Sequence, residues 1–200
     1  MKSAFLSLGI MAVPAMLGAL LWLVFEVFQR LFRHGIKRKP GIYYKAALLL
    51  WFIFLAGLLG LTLTPAGFWP SLLRGELPTI PPAFQGGINL RPFHASWALL
   101  RFYIRNGLWD AVLINFPGNI ILFMPAGFFT AIFSIRSRWW KSTFWAFFLS
   151  MTIEILQLFV SRGTDVDDLI LNTLGGFLGF LIFRVIKQKY PGWIRSCSGY

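Results

Sequence analysis

Hydrophobic positions fall into five long runs, at residues 4–28, 46–63, 111–133, 143–160 and 169–186, with polar residues gathered between them. Each run is close to the roughly 20 residues that a helix needs to cross hydrocarbon. A chain in lipid must satisfy its own backbone polar groups, so each run predicts a helix. The expected fold class is all-α: a polytopic transmembrane helix bundle of about five spans. The first run is much longer than the roughly 7–15 apolar residues of a signal peptide. It also ends in a basic cluster, so it reads as a span, with Pro14 as its bend. In the third run Pro125 removes a backbone donor and predicts a kink or interruption.

The segment at 64–110 is different. It opens with Pro65, Trp69, Pro70, Pro78, Pro81 and Pro82, which predicts irregular chain, and Gly86-Gly87 permits a sharp turn. From 95 to 107 the period becomes helical, with Trp97, Leu100, Ile104 and Leu108 on one face and Arg101 and Arg105 towards the other. This is either an interfacial helix in the headgroup layer or a loop helix packed on the bundle.

Composition fits the pattern. Of 200 residues 57% are hydrophobic and 13% charged, where soluble domains carry about 25% charged residues. Mean hydropathy is +0.67. The net charge of +12 does not imply a nucleic-acid partner, because the basic residues sit in clusters between apolar runs. Arg30, Arg33, Lys37, Arg38, Lys39 and Lys45 follow the first run, Arg136, Arg138 and Lys141 the third, and Lys187, Lys189 and Arg195 the fifth. These three regions are expected in the cytoplasm, facing anionic headgroups. The second and fourth connections mix Arg91 and Arg162 with acids and are expected outside. The reading is a cell-membrane protein with its N-terminus outside and its C-terminus cytoplasmic. It divides into a two-span hairpin at 1–63, an extracytoplasmic loop with the candidate interfacial helix at 64–110, a three-span core at 111–186 and a basic cytoplasmic tail at 187–200. The single cysteine, Cys197, allows no internal disulfide. It lies in the polar tail and reads as a thiol without a role.

Polar residues inside the spans are costly unless partnered, and they mark the bundle interior. Glu154 and Gln157 share a face of the fourth span, with Arg162 just beyond it. Asp165, Asp168 and Asn172 are expected on one face of the fifth, continued by Gly175 and Gly179, a pair that lets a neighbouring helix approach closely. Aspartates at a helix start also cap free N–H groups. Asn115 and Asn119 are expected to face the same way in the third span. Glu154, Gln157, Arg162, Asp165, Asp168, Asn172 and Asn119 are expected to converge near the outer leaflet boundary, with Asn89 and Arg91 offered from the loop. They form either a structural hydrogen-bonded network or a ligand site. Asp165, Asp167 and Asp168 fit no defined metal loop, so no metal or cofactor is expected. His94 is a weak catalytic candidate and His34, among the cytoplasmic basics, a weaker one.

The same residues carry a family resemblance. Asn119, Phe123, Pro125, Gly127 and Phe128 resemble the N-x-x-x-F-x-P-x-G-F segment of VanZ-like membrane proteins. Glu154, Gln157, Arg162, Asp165, Asp168, Asn172 and Gly175 resemble that family's I-E-x-x-Q … R … D-x-x-D-x-x-x-N-x-x-G segment, and Asn89 to Phe93 resembles its N-L-x-P-F element. The likeness covers residues 89–183, making 111–186 a VanZ-like core and leaving the first two spans outside its best part. It implies a cell-envelope role and a link to teicoplanin susceptibility, an antibiotic-resistance effect that is not itself a reaction.

Three function classes follow. One is a protein that binds or handles a membrane lipid or lipid-linked cell-wall molecule at the outer leaflet. Arg91 and Arg162 would meet an anionic group there and Glu154 would lie between them. The others are an intramembrane enzyme acting on a lipid headgroup with Glu154 or Asp168 as base, and a lipid transporter or flippase with a broken helix. Whether any reaction is catalysed stays open at this point.

Overall fold

The computed structural model is helical through every apolar run, as a backbone that must bond to itself requires. It describes residues 2–32, 41–65, 67–78, 82–134 and 136–198; Arg33, His34, Lys37, Arg38, Lys39 and Pro81 lie outside the described residues. Among these, five segments are long and apolar enough to cross a membrane: Ala12–Gln29, Ile42–Leu63, Trp109–Phe133, Trp139–Phe159 and Val166–Lys189. The chain is a polytopic transmembrane helix bundle. It divides into two compact units, Met1–Pro81 with Arg195–Tyr200, and Pro82–Ile194.

The first unit is an antiparallel hairpin of α1 (Lys2–Phe32) and α2 (Ile42–Leu63), followed by the short α3 (Phe68–Leu73). Gly18 lies against the backbone of Ile53, Pro14 against Gly60, and the Phe25 and Phe52 rings are 5.4 Å apart. Near the end of the hairpin where the chain passes from α1 to α2, the buried Glu26 accepts from Lys45 Nζ. This acid was hidden inside a run that reads as uniformly apolar. It needs a cation at that depth, and Lys45 supplies one. Trp69 Nε1 of α3 donates to the carbonyl of Gly60 at 3.2 Å.

The second unit holds β1 (Ile88–Asn89), α4 (His94–Arg105), α5 (Trp109–Asn115), α6 (Pro117–Phe133), α7 (Trp139–Phe159), β2 (Thr164–Asp165) and α8 (Val166–Lys189). The helix α9 (Pro191–Ser198) follows α8 and carries Ile194 and Cys197 as buried residues, so Cys197 is not in an exposed polar tail. The third span is interrupted, but at Pro117 and not at Pro125. Phe116 (φ −103°, ψ −71°) ends α5, and Pro117 starts α6, where its missing N–H costs nothing. Pro125 stays inside α6. Neighbouring helices hold a span together across a lost backbone bond, and α6 is pressed closely against α8.

That close contact explains the glycines. A Cβ on Gly175 would lie 2.3 Å from the Ile120 carbonyl oxygen, and one on Gly179 would lie 1.9 Å from that of Met124. Since 120 matches 175 and 124 matches 179, α6 and α8 run parallel. On the other side of α8, Asn172 meets Ser150 and Gly176 meets Ala146, so α7 runs antiparallel. Ser142, Ala146 and Ser150 recur every four residues along α7 and are all 1% exposed or less. This small-residue stripe lets α7 and α8 approach as the glycines do for α6. Threonines inside the spans, such as Thr130 and Thr173, return their hydroxyls to the carbonyl four residues back, which satisfies them without a neighbour.

Candidate functional site

The parallel order of α6 and α8, with α7 reversed, brings the starts of α6 and α8 and the end of α7 to one end of the unit. This is where the acids lie. Asp165 is not on a face of α8. It is extended (φ −128°, ψ 126°) as the N-cap, and its Oδ1 accepts from the backbone N–H of Asp167 at 2.9 Å. Capping needs that non-helical conformation, so the expected shared face of Asp165, Asp168 and Asn172 does not form.

Each aspartate is held by a different element. Asn89 Nδ2 reaches both carboxylate oxygens of Asp165 at 3.1 Å, across a two-residue parallel pairing of β1 with β2. Asp167, 1% exposed, accepts from the backbone N–H of Phe93 at 2.7 Å and from the Ser96 hydroxyl. Asp168 Oδ1 accepts from Asn119 Nδ2 of α6 at 2.5 Å. The start of α8 is thus a hub that fastens β1, α4 and α6.

Glu154 joins the hub from α7. Its Oε2 accepts from the backbone N–H of Asp165 at 3.1 Å, and its carbonyl accepts from Thr164 Oγ1 at 3.0 Å. Asp165 and Asp168 repel its charge, and Asp165 and Asp167 repel that of Asp168; Arg162 attracts both. Among the described residues the second oxygens, Glu154 Oε1 and Asp168 Oδ2, carry no hydrogen bond. Gln157 is buried beside them on α7, and its carbonyl accepts from the Arg162 N–H at 3.0 Å. Asn172 does not join the cluster. It lies a turn deeper, donates to Ser150 Oγ at 2.9 Å, and its Oδ1 has no partner among the described residues. Asn115 also stays apart, donating to Ala111 of its own helix. The break at Pro117 turns it away from Asn119.

The loop is clamped tightly around this end. Phe84 donates its N–H to the Leu158 carbonyl at 2.7 Å and Thr164 donates to that of Gly87 at 3.0 Å. Gly86 leaves no room for a side chain, since a Cβ would lie 2.1 Å from the Arg162 carbonyl oxygen. Phe84, Phe93 and Ser161 adopt left-handed conformations, with φ of 63°, 60° and 53°. Strain of that kind persists only where surrounding contacts over-determine it.

Next to the hub α4 presents an open groove of about 670 Å³, lined by Pro92, Phe93, His94, Trp97, Arg101 and Arg105 among others. The helix is amphipathic as expected but is not buried on the bundle. Trp97 is 56% exposed, and Ile104 and Leu108 are also exposed. Arg101 stacks over the Trp97 ring at 5.3 Å. Arg91 is exposed just before the groove, and its N–H donates to Asn89 Oδ1 at 3.2 Å.

The model of the VanZ/LLP1 family matches residues 46–187. The chain belongs to the VanZ/LLP1 family. The match includes α2, which the motif-bearing half of the chain had left out. Over 105 residues the chain is 35% identical to Protein VanZ of Enterococcus faecium, a match that covers 52% of this chain and 56% of that protein. The chain thus spans little more than half the length of the curated relative it matches. No solved structure matches it.

In this VanZ/LLP1 protein the structure brings together Asn89, Asn119, Glu154, Gln157, Arg162, Asp165 and Asp168, and leaves Asn172 as a separate interhelical pair. Asp167 and Ser96 are the residues that sequence reasoning undervalued. Asp167 reads as an ordinary helix-start acid, and only the fold shows that it anchors another helix. Because the three aspartates point to different elements, no group of three acid, histidine or cysteine side chains among the described residues could hold a metal ion.

Proposed function

We propose that this chain binds a lipid or lipid-linked envelope molecule at the outer leaflet. The observation that carries the reading is the fastening of the α4 groove to the acid hub through Asp167. Together they make one rigid site with a polar part and an amphipathic part. Glu154 Oε1 and Asp168 Oδ2 offer two acceptors to a headgroup, and charge-assisted bonds of that kind are the strong ones. Arg91, Arg101 and Arg105 offer cations beside exposed aromatic surface. A helix with this division of faces suits the headgroup layer. A role in glycopeptide susceptibility would follow if the bound molecule carries cell-wall precursors.

The test is mass spectrometry of lipids that co-purify with the full chain. The wild type should retain a lipid that Arg91→Ala and Arg101→Ala/Arg105→Ala lose. Identical lipid profiles in all three proteins would sink the proposal. Two outcomes would extend it. Turnover of the retained lipid, abolished by Glu154→Gln, would make the site catalytic. Movement of labelled lipid across proteoliposomes without chemical change would make it a transporter.

A further inference from the structure

The opposite end of α7 and α8 carries a second cavity. It measures about 690 Å³ and is lined by Arg138, Trp139, Arg184 and Lys187, with Phe180 and Phe183 among the residues that form it. The three cations are exposed and the two phenylalanines buried, so the cavity has a charged mouth and an apolar floor. Lys187 Nζ lies 5.5 Å over the Phe183 ring, which draws the ammonium in across the floor. Trp139 and Trp140 stand exposed at the rim, where amphipathic rings settle at a membrane–water boundary.

Within α6, α7 and α8 the charge at this end has no counterweight. The sequence contains no acid between Asp110 and Glu154, and none after Asp168. All four acids of α7, β2 and α8 are at the far end, in the hub. Arg138 is the N-cap residue of α7 and makes no side-chain cap, so the positive end of that helix adds to the same field. Three cations converging over an apolar floor call for an anion with hydrocarbon attached.

We infer that this cavity binds the phosphate headgroup of an anionic phospholipid from the cytoplasmic leaflet, with an acyl chain lying against Phe180 and Phe183. Basic pockets between transmembrane helices on the cytoplasmic side suit such headgroups. The site is independent of the one proposed above. It uses the opposite end of the bundle and shares no residue with the α4 groove.

The experiment places the full chain in nanodiscs of phosphatidylcholine containing a minor fraction of phosphatidylglycerol. Native mass spectrometry then counts the phosphatidylglycerol molecules retained as the nanodisc is stripped. The wild type and Arg74→Gln, a change at an exposed loop arginine outside both sites, should each keep one lipid at this site, while Arg184→Gln/Lys187→Gln should retain it about ten-fold less well. Arg184→Lys/Lys187→Arg, which keeps the charge, should restore most of the binding. Millimolar inorganic phosphate should not displace the lipid. If it does, the cavity reads a soluble phosphate and the lipid assignment is wrong. Equal retention by the wild type and Arg184→Gln/Lys187→Gln, with both folded by thermal unfolding, would overturn the inference. Because the substituted side chains are exposed, the variants should melt within a few degrees of the wild type. An equal loss of retention in Arg74→Gln would show that binding follows net charge and not this cavity, and would also overturn the inference.

Discussion

Asp167 shows how much one carboxylate can organise. It is almost fully buried and spends its oxygens on a backbone N–H and a hydroxyl from α4. Hydrogen bonds to a charged group contribute about 1.5–3 kcal/mol each. Asp167→Asn would point an amide donor at one of those donors, so it should cost about 2 kcal/mol. Hydrogen exchange at the Phe93 amide should accelerate accordingly, while exchange at the Asn119 end of α6 should change little. Wild-type protection at Phe93 in the variant would show that the anchor lies elsewhere. Cys197 offers a test at the other end of the chain. Burial pushes its thiol above the ordinary cysteine value, so the reactive thiolate should form only at higher pH than in a free cysteine. Maleimide labelling of the folded protein at pH 8 should be slow and should rise towards higher pH, and detergent denaturation should abolish the delay. Neither property is visible in sequence, where Asp167 is one of three similar acids and Cys197 sits in a short polar stretch.

Within the second unit, α8 is the element on which the others are assembled. Gly175 and Gly179 were legible as a close-packing pair because their spacing alone puts them on one face. Their partners were not legible. Only the fold shows that α6 fills that face and that the Ser142, Ala146 and Ser150 stripe of α7 fills the next. Gly179→Ala would drive a methyl into the Met124 carbonyl, and overpacking of this kind costs about 1–3 kcal/mol. A clear fall in melting temperature in detergent is expected. Gly57→Ala in α2 has open space around it and should melt no lower than the wild type. Equal behaviour of the two variants would mean that the seam is looser than drawn. The break in the third span teaches the same lesson differently. Two prolines compete, and propensity favours neither. Pro117 wins because a helix can start there without losing a bond, whereas Pro125 is held inside a packed helix.

At the largest scale, the second unit has two ends of opposite character: acids, asparagines and a clamped loop at one, and cations and tryptophans at the other. The Lys/Arg distribution predicts that the basic end is cytoplasmic. A reporter active only in the cytoplasm should therefore work when fused after Tyr200, and one active only outside should work when inserted near Gly75. Activity in the reverse compartments would invert the assignment of both proposed sites. Membrane residence, the approximate spans and most of the costly polar residues, Glu26 excepted, were determined by the sequence itself. They depend on transfer from water to lipid, a property each residue carries wherever it sits. Which polar groups meet was decided only by the tertiary structure. Asn89 and Asp165 are 76 residues apart, and Asn119 and Asp168 are 49 apart. Hydrogen bonds act over about 3 Å, so such pairs exist only after α6, α7 and α8 have packed. The separation of Asn172 from the cluster followed from the same packing, because one turn of helix is enough to face a different neighbour.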